Sequence, residues 1–375
     1  MHVTVIADFI KVYNRRILRG VAAFARIHGW TLRAQQVQNR QDVAHALKTA
    51  EAILMGTHDY ESEPSLEDLH VPAVSWSATR ELVPWPRVIS DDCAVGRMAA
   101  EHFLSKGFRR CAFYSDVPGI WSRRRLSGFE KRLAESGGVV DAGPRQLPSG
   151  KVETVEKWLA HLTTPVGIMV VHDPAATAVL DACRSLGLRV PDDVAIVGVD
   201  NDDLVCDITD PPLSAVSLQT DRIGYEAAAL LARMVTGALD IPTEVLIPPG
   251  ELIVRRSSDA FAFDDTLVAE AIRYIQENLA DGVCTKQVVA HVGCCRETLD
   301  IRFRESVRDT VASEIRRQRI AAVKRLLVTT DLPMSEVSKL TGFSCPRQLS
   351  ETFHNETGET PTECRLRSKP TARSL

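Results

Sequence analysis

The chain has 375 residues, 45% of them hydrophobic and 25% charged, which is enough to bury the cores of two or three domains. A formal net charge of −4 argues against a protein that coats nucleic acid by bulk electrostatics, so any contact with DNA has to come from a local basic surface. No apolar run approaches the roughly 18 to 20 residues that cross a bilayer, and the opening MHVTVIADF reads as a core strand rather than a leader. A cytoplasmic protein without membrane association is expected.

From the start to about residue 255, apolar β-type runs alternate with helical patterns. The clearest strands are VTVIAD, TLRAQQV, AILMG, RCAFYS, GIMVV and VAIVGV, with helices expected near 15–28, 93–106, 122–136, 152–162 and 174–186. That order predicts parallel sheets covered by helices, arranged as a two-lobed α/β domain over residues 1–256. Arg255 to Asp259 read as the start of an exposed connector, and 257–264 as a linker. Beyond it strand-like runs nearly vanish, and 265–375 reads as an all-α domain, with helices near 266–280, 285–292, 296–306, 310–328, 334–340, 346–356 and 361–367.

Open α/β sheets bind ligands at the carboxyl ends of their strands, so the residues that follow the strands nominate a site. They are Asp8, Tyr13 and Asn14 after the first strand, the pair Asp91-Asp92 after Val88 to Ser90 with Asp91 as the candidate contact, Trp121 and Arg125 after the strand ending at Ser115, His172 and Asp173 after GIMVV, and Asp200 after VAIVGV. Carboxylates, amides and a guanidinium meet sugar hydroxyls, and a flat ring packs on the sugar's C–H face. Each aspartate alone is more often a helix cap than a ligand contact, so only convergence carries the reading.

In the helical domain two segments share one design. Thr285 to Gly293 is a short helix ending at glycine and is followed by a helix from Arg296; Ser335 to Gly342 leads in the same way into a helix from Pro346. Leu299 with Phe303, and Leu349 with Phe353, are four apart and seat each second helix on a core. The outward positions are then Arg296, Glu297, Thr298, Asp300 and Ile301, and Pro346, Arg347, Gln348, Ser350 and Glu351, placed to enter a major groove of double-stranded DNA. A long helix between them carries Arg308, Arg316, Arg317, Arg319, Lys324 and Arg325 as a basic face. The bland alternative is a helical bundle with solvated arginines.

Gly342-Phe343, Phe353, Gly358, Thr360-Pro361 and Arg365 resemble the signature of AraC/XylS-type regulators, a resemblance covering about 265–367 that implies two helix-turn-helix units joined by a helix. Trp121 to Phe129, VVHDPAA and VAIVGVDN resemble the effector domain of LacI-type regulators, a type I periplasmic-binding-protein fold; the resemblance implies that Arg125 and Asp200 contact a sugar. The two in this order, with Lys11 to Arg15, Ala112 to Tyr114, Val199 to Asn201 and Val254 to Ser257, are similar to the XylR family of bacterial xylose regulators. That similarity implies a homodimeric activator of pentose-utilisation genes that answers to D-xylose, with RNA polymerase as a further candidate partner. A response to another sugar or to a protein partner stays open.

Nine cysteines are scattered along the chain and only Cys294 and Cys295 are adjacent, which suits reduced thiols and leaves a vicinal-thiol sensor as an alternative. No Cys/His set has zinc spacing, and G-x-S-x-G, Walker and G-x-G-x-x-G patterns are absent. Neither an enzyme nor a metal or cofactor is expected.

Overall fold

The computed structural model describes residues 1–36, 50–56, 71–78, 85–117, 119–144, 153–263, 265–307 and 309–368. The chain forms two compact units, Met1–Ala260 and Phe261–Leu375.

The first unit is built on two six-stranded sheets. In chain order its elements are β1 (His2–Ala7), α1 (Val12–Ile27), β2 (Thr31–Gln36), β3 (Ile53–Gly56), β4 (Ala73–Ser75), β5 (Arg87–Ser90), α2 (Asp92–Ser105), β6 (Arg110–Tyr114), α3 (Ile120–Ala134), β7 (Val139–Gly143), α4 (Val155–His161), β8 (Val166–Val170), α5 (Asp173–Leu186), β9 (Val194–Asp200), α6 (Asp203–Ile208), β10 (Ser214–Ser217), α7 (Thr220–Val235), β11 (Glu244–Ile247) and β12 (Leu252–Ile253). One sheet runs β11-β5-β4-β3-β1-β2 and the other β12-β10-β9-β8-β6-β7. Every strand pairing is parallel except β10 with β12. Central strands such as Val166–Val170 are buried along their whole length, as strands covered by helices on both faces must be. The chain passes between the sheets three times, after β5, β10 and β11, so both lobes are completed by late segments.

Each lobe has one helix pair in unusually close contact. Gly20 of α1 and Gly224 of α7 face the partner's backbone, and a Cβ at either would overlap a carbonyl oxygen, of Asp221 or of Ile17. In the second lobe Gly96 of α2 and Gly128 of α3 do the same against the carbonyls of Arg125 and Cys93. The second crossing draws the start of α3 onto the start of α2, and this sets up the site described below.

The strands expected from the longest apolar runs are present, whereas β4, β7, β10, β11 and β12 were not singled out in advance. All but β7 are two to four residues long, too short for the β period to show, and β7, β11 and β12 lie at the sheet edges. The connector reading needs correction: Ser257 and Ser258, expected to be exposed, are fully buried in a 3-10 turn, Arg256–Ser258. Ser257 Oγ accepts from the Ser214 amide and donates to the Ile196 carbonyl, at 2.8 and 2.7 Å, so the chain remains part of the first unit to this point.

The second unit contains α8 (Thr266–Glu277), α9 (Thr285–Val292), α10 (Arg296–Ser306), α11 (Val311–Thr329), α12 (Met334–Leu340), α13 (Pro346–Thr357) and α14 (Pro361–Ser368). Two small cores share α11. Val311 and Ile315 join Val268, Ile272, Val288, Leu299 and Phe303; Ile320, Val323 and Leu327 join Val337, Phe343, Leu349 and Phe353. The two halves meet where Gly342 packs against Leu279 and Gly282, and where Arg319 Nη2 donates to the Val283 carbonyl at 2.9 Å with its guanidinium 5.6 Å from the Phe343 ring centroid. Arg319 therefore belongs to this junction, not to the basic face expected of α11, and Arg317 is paired with the buried Glu314. Arg308, also expected on that face, lies outside the described residues.

Candidate functional site

The close approach of α3 to α2 places Arg125 beside Asp92, both almost fully buried, with Nε donating to Oδ1 at 2.9 Å. Arg125 Nη1 donates to the Val171 carbonyl at 2.5 Å, at the end of β8, and its guanidinium lies 5.0 Å from the Trp121 ring centroid. Two acceptors and a ring face thus fix the cation, which also lies in the field of Asp200 and Tyr13. Tyr13, at the start of α1 in the other lobe, is the element that brings the two sheets to one place. Burial, then Asp92, pushes its hydroxyl upward, so at neutral pH it is a hydrogen-bond donor and acceptor, not a phenolate.

Asp200 closes the cluster. Burial raises its pKa to about 6, opposed mainly by Arg125 and reinforced by Asp92. Its backbone and that of Asn201 take left-handed φ values of 101° and 49°, a costly conformation for residues with side chains that persists only where the surroundings impose it. Here they do. Arg16 of α1 reaches across from the other lobe, its Nη1 donating to the Asp200 and Asn201 carbonyls at 3.0 and 2.9 Å.

The remaining expected contacts fall into two groups. Asp8 and Asp91 act as local caps: the Asp8 carboxylate accepts from the Ile10 amide and Gln36 at 3.0 and 3.1 Å, and Asp91 accepts from the Ala94 amide at 3.0 Å at the start of α2. Asn14 and His172 are committed inside the protein, and Asp173 is so through one carboxylate oxygen, Oδ2, its Oδ1 being buried without a hydrogen-bond partner among the described residues. Asn14 is fully buried; its amide donates to the Asp8 and Gly56 carbonyls and accepts from Trp76 Nε1 at 2.9 Å, leaving no donor for a ligand. The His172 ring accepts at Nδ1 from the Ala175 amide, which places the proton on Nε2, and Nε2 meets Asp116 Oδ1 at 2.9 Å. Burial holds that imidazole below its usual range, hence neutral, and what it presents is a ring tilted toward Trp121 with centroids 6.1 Å apart. Asp173 is fully buried, accepts the Asp202 amide at 2.7 Å, and is pushed well up by burial and then by Asp200.

The converging set is therefore Tyr13, Trp121, Arg125 and Asp200, joined by Asp92, the second acid of the pair that follows β5, and by Arg16, which reading by strand ends did not select. For Asp92 the signal was the pair Asp91-Asp92: the first caps the helix, and the second then falls on its inner face. Among the described residues no group of His, Cys, Asp or Glu is arranged to hold a metal.

In the second unit the two glycines make the expected turns, with Gly293 at φ 69° and Gly342 at φ 71°. Leu299, Phe303, Leu349 and Phe353 are buried, so α10 and α13 turn their other faces outward. Arg296, Glu297, Ile301, Pro346, Arg347, Gln348 and Glu351 are exposed, and Thr298, Asp300 and Ser350 half-exposed. Each helix pairs its arginine with an acid one turn on, Arg296 with Asp300 at 3.6 Å and Arg347 with Glu351 at 2.8 Å. Gln348 accepts from the Ser344 amide and hydroxyl at 3.0 and 2.8 Å, bracing the turn before α13. Arg365, part of the expected signature, donates to the Leu332 carbonyl at 2.7 Å and ties α14 to the turn before α12.

Comparison with known proteins matches residues 100–258 to a periplasmic binding protein-like domain and 288–367 to a helix-turn-helix domain. The chain is 28% identical to the xylose operon regulatory protein of Escherichia coli strain K12 over 97% of this chain and 96% of that one. It is 26% identical to the protein of the same name from Haemophilus influenzae, over 95% and 96%. A solved structure of the xylose-binding transcription activator XylR superposes with a TM-score of 0.59, at 26% identity, over 98% of both chains.

Proposed function

Since the chain is a XylR-like transcription regulator and not an enzyme, with a periplasmic-binding-protein-like domain followed by an AraC-type helix-turn-helix domain, we propose that it activates pentose-utilisation genes on binding D-xylose. The observation that carries this reading is the buried Arg125–Asp92 pair under Trp121, with Asp200 beside it and Tyr13 from the other lobe. A hydroxyl-rich, uncharged solute suits that set. Its hydroxyls donate to the carboxylates and accept from the guanidinium, while its C–H face lies on the indole. A sugar missing one hydroxyl would leave a buried polar group unpaired, which is the physical source of discrimination between pentoses.

On the DNA side, α10 and α13 enter successive major-groove segments of an operator, and Arg296 and Arg347 are the base-reading residues. The exposed pairs with Asp300 and Glu351 hold these arginines in place and are readily exchanged for contacts with DNA. We propose further that the chain acts as a homodimer and engages RNA polymerase as an activator. Sugar controls DNA binding to the extent that it prefers one conformation of the first unit; a shift from 1:99 to 99:1 takes about 5.5 kcal/mol of differential binding.

Isothermal titration against a panel of pentoses and hexoses tests the reading. Heat with D-xylose, and markedly weaker binding of hexoses, is the expected result. Binding of a different sugar moves the specificity and keeps the site; no heat with any sugar favours a regulator that answers to a protein partner.

A further inference from the structure

The strained turn at Asp200–Asn201 is held from three sides, and one of the three leads away from the sugar site. Arg16 grips its carbonyls from α1 at 3.0 and 2.9 Å, and Asp173 accepts the Asp202 amide at 2.7 Å. The third holder is Arg255. Its Nη1 donates to Asn201 Oδ1 and to the Leu213 carbonyl, both at 2.9 Å, and its Nε lies 3.3 Å from Asp207 on α6.

Arg255 stands where the chain prepares to leave the first unit. Its backbone is bound to Ser214 Oγ, which accepts from the Arg255 amide at 2.7 Å and donates to its carbonyl at 2.9 Å. The next residues, Ser257 and Ser258, are fully buried and hydrogen-bonded to β9 and to Ser214. His102 meets Ser258 Oγ at 2.9 Å and Lys106 pairs with Asp259 at 2.9 Å, so the exit segment is anchored up to the last residues of the unit. Arg255 thus joins the two: its guanidinium reaches the left-handed turn at Asn201, while its own backbone is part of the exit segment held by Ser214.

We infer that Arg255 is a positioning residue for the sugar response: it transmits the state of the Asp200–Asn201 turn to the segment from which the DNA-reading unit departs. The inference rests on Asp200 contacting the sugar. The turn supplies the bistable element that coupling requires, because two consecutive side-chain-bearing residues at positive φ relax readily when a holder is lost. A sugar hydroxyl at the Asp200 carboxylate biases the turn, and the bidentate grip on Asn201 and Leu213 converts that bias into a shift of the chain at residue 255. Arg255 touches no residue of the converging set except through the turn, so sugar binding itself does not need it.

The test uses the full chain and an operator selected from a randomised duplex pool. Sugar affinity is measured by titration calorimetry, and operator affinity with and without the binding sugar, D-xylose first. The wild type is expected to change its operator affinity about 5- to 150-fold with sugar. Arg255→Met is expected to keep sugar affinity and sugar-free operator affinity within about threefold of wild type while the sugar-dependent ratio falls toward one. Arg255→Lys, which retains one cationic donor nitrogen, should recover part of that ratio, a rescue that a merely structural role would not produce. Asn201→Gly keeps the positive φ and removes the Oδ1 acceptor, and it is expected to uncouple in the same way should Arg255→Met fold poorly. A wild-type ratio in both Arg255→Met and Asn201→Gly overturns the inference, as does loss of sugar binding in both. A wild-type chain that binds operator but responds to no sugar overturns the sugar reading, and the relay with it.

Discussion

The two units place their functional polar groups in opposite ways. In the first, Arg125 and Asp92 have side chains only 6% and 2% exposed, and each is fixed by partners from other elements. In the second, Arg347 and Glu351 are 87% and 61% exposed, and their mutual contact is within one helix. A buried ion pair is held by what desolvation would cost if either partner were removed, whereas an exposed one is weakly held and free to exchange. The first unit thus keeps these charges in one geometry, whereas those of the helical unit are free to exchange.

Breaking the buried pair should give the largest effect. Arg125→Ala strands Asp92 and is expected to destabilise the first unit by about 3–5 kcal/mol in urea denaturation and to abolish sugar heat. The double variant Arg125→Met with Asp92→Asn should recover much of the stability without recovering sugar binding. Equal sugar affinity in either variant would remove Arg125 from the site. On the exposed side, Arg347→Ala is expected to weaken operator binding roughly 5- to 150-fold in a gel-shift or anisotropy titration, with sugar affinity and folding unchanged. Unchanged operator affinity would leave α13 without its main reader.

The buried cluster also predicts a pH dependence that the exposed surface lacks. Asp200 has a folded pKa raised to about 6 by burial, so folding favours its protonated form; that stabilisation is present at low pH and is lost as pH rises through about 6. A sugar hydroxyl that donates to the carboxylate needs the opposite form, so sugar affinity should fall as pH drops below about 6, by about tenfold at pH 5. Asp200→Asn should bind more weakly at pH 7 and show a flatter profile; an identical profile would assign the titration to Asp92 or Asp173. The smallest effect sharpens the boundary of the site. Asp91→Ala removes a helix cap and is expected to cost about 1 kcal/mol of stability with no change in sugar affinity, as thermal melting and calorimetry would report.

Much of the helical unit was legible in the sequence. The bounds of α9, α10 and α12 coincide with the expected ranges, because Gly293 and Gly342 in the turns after α9 and α12, and the i, i+4 apolar pair Leu299–Phe303 in α10, are local signals that one or two turns are enough to express. The α/β order of the first unit and its strand-end polar residues were equally visible, since alternation of β-type runs with helices is carried by short segments. The site was legible only as a set of positions. Nothing local distinguishes Asp91, which caps α2, from Asp92, which pairs with Arg125; the difference is one position of helical register seen against a neighbour 33 residues away in the chain. Asn14 and His172 looked like ligand contacts because their types fit, and the structure fills their hydrogen-bonding capacity with Trp76, Gly56, Ala175 and Asp116 instead.

By itself, then, the sequence determined what periodicity and short-range chemistry can encode: two kinds of domain, their order, the helix-turn-helix units and the neighbourhood of the site. Tertiary packing alone decided which polar groups converge at the candidate site, that Arg319 leaves the basic face to join the two helical halves, and that residues 257 and 258 are core and not linker. Those outcomes depend on which buried donors and acceptors find partners across distant segments. The free energy of satisfying a buried polar group is set by its surroundings, not by its own type.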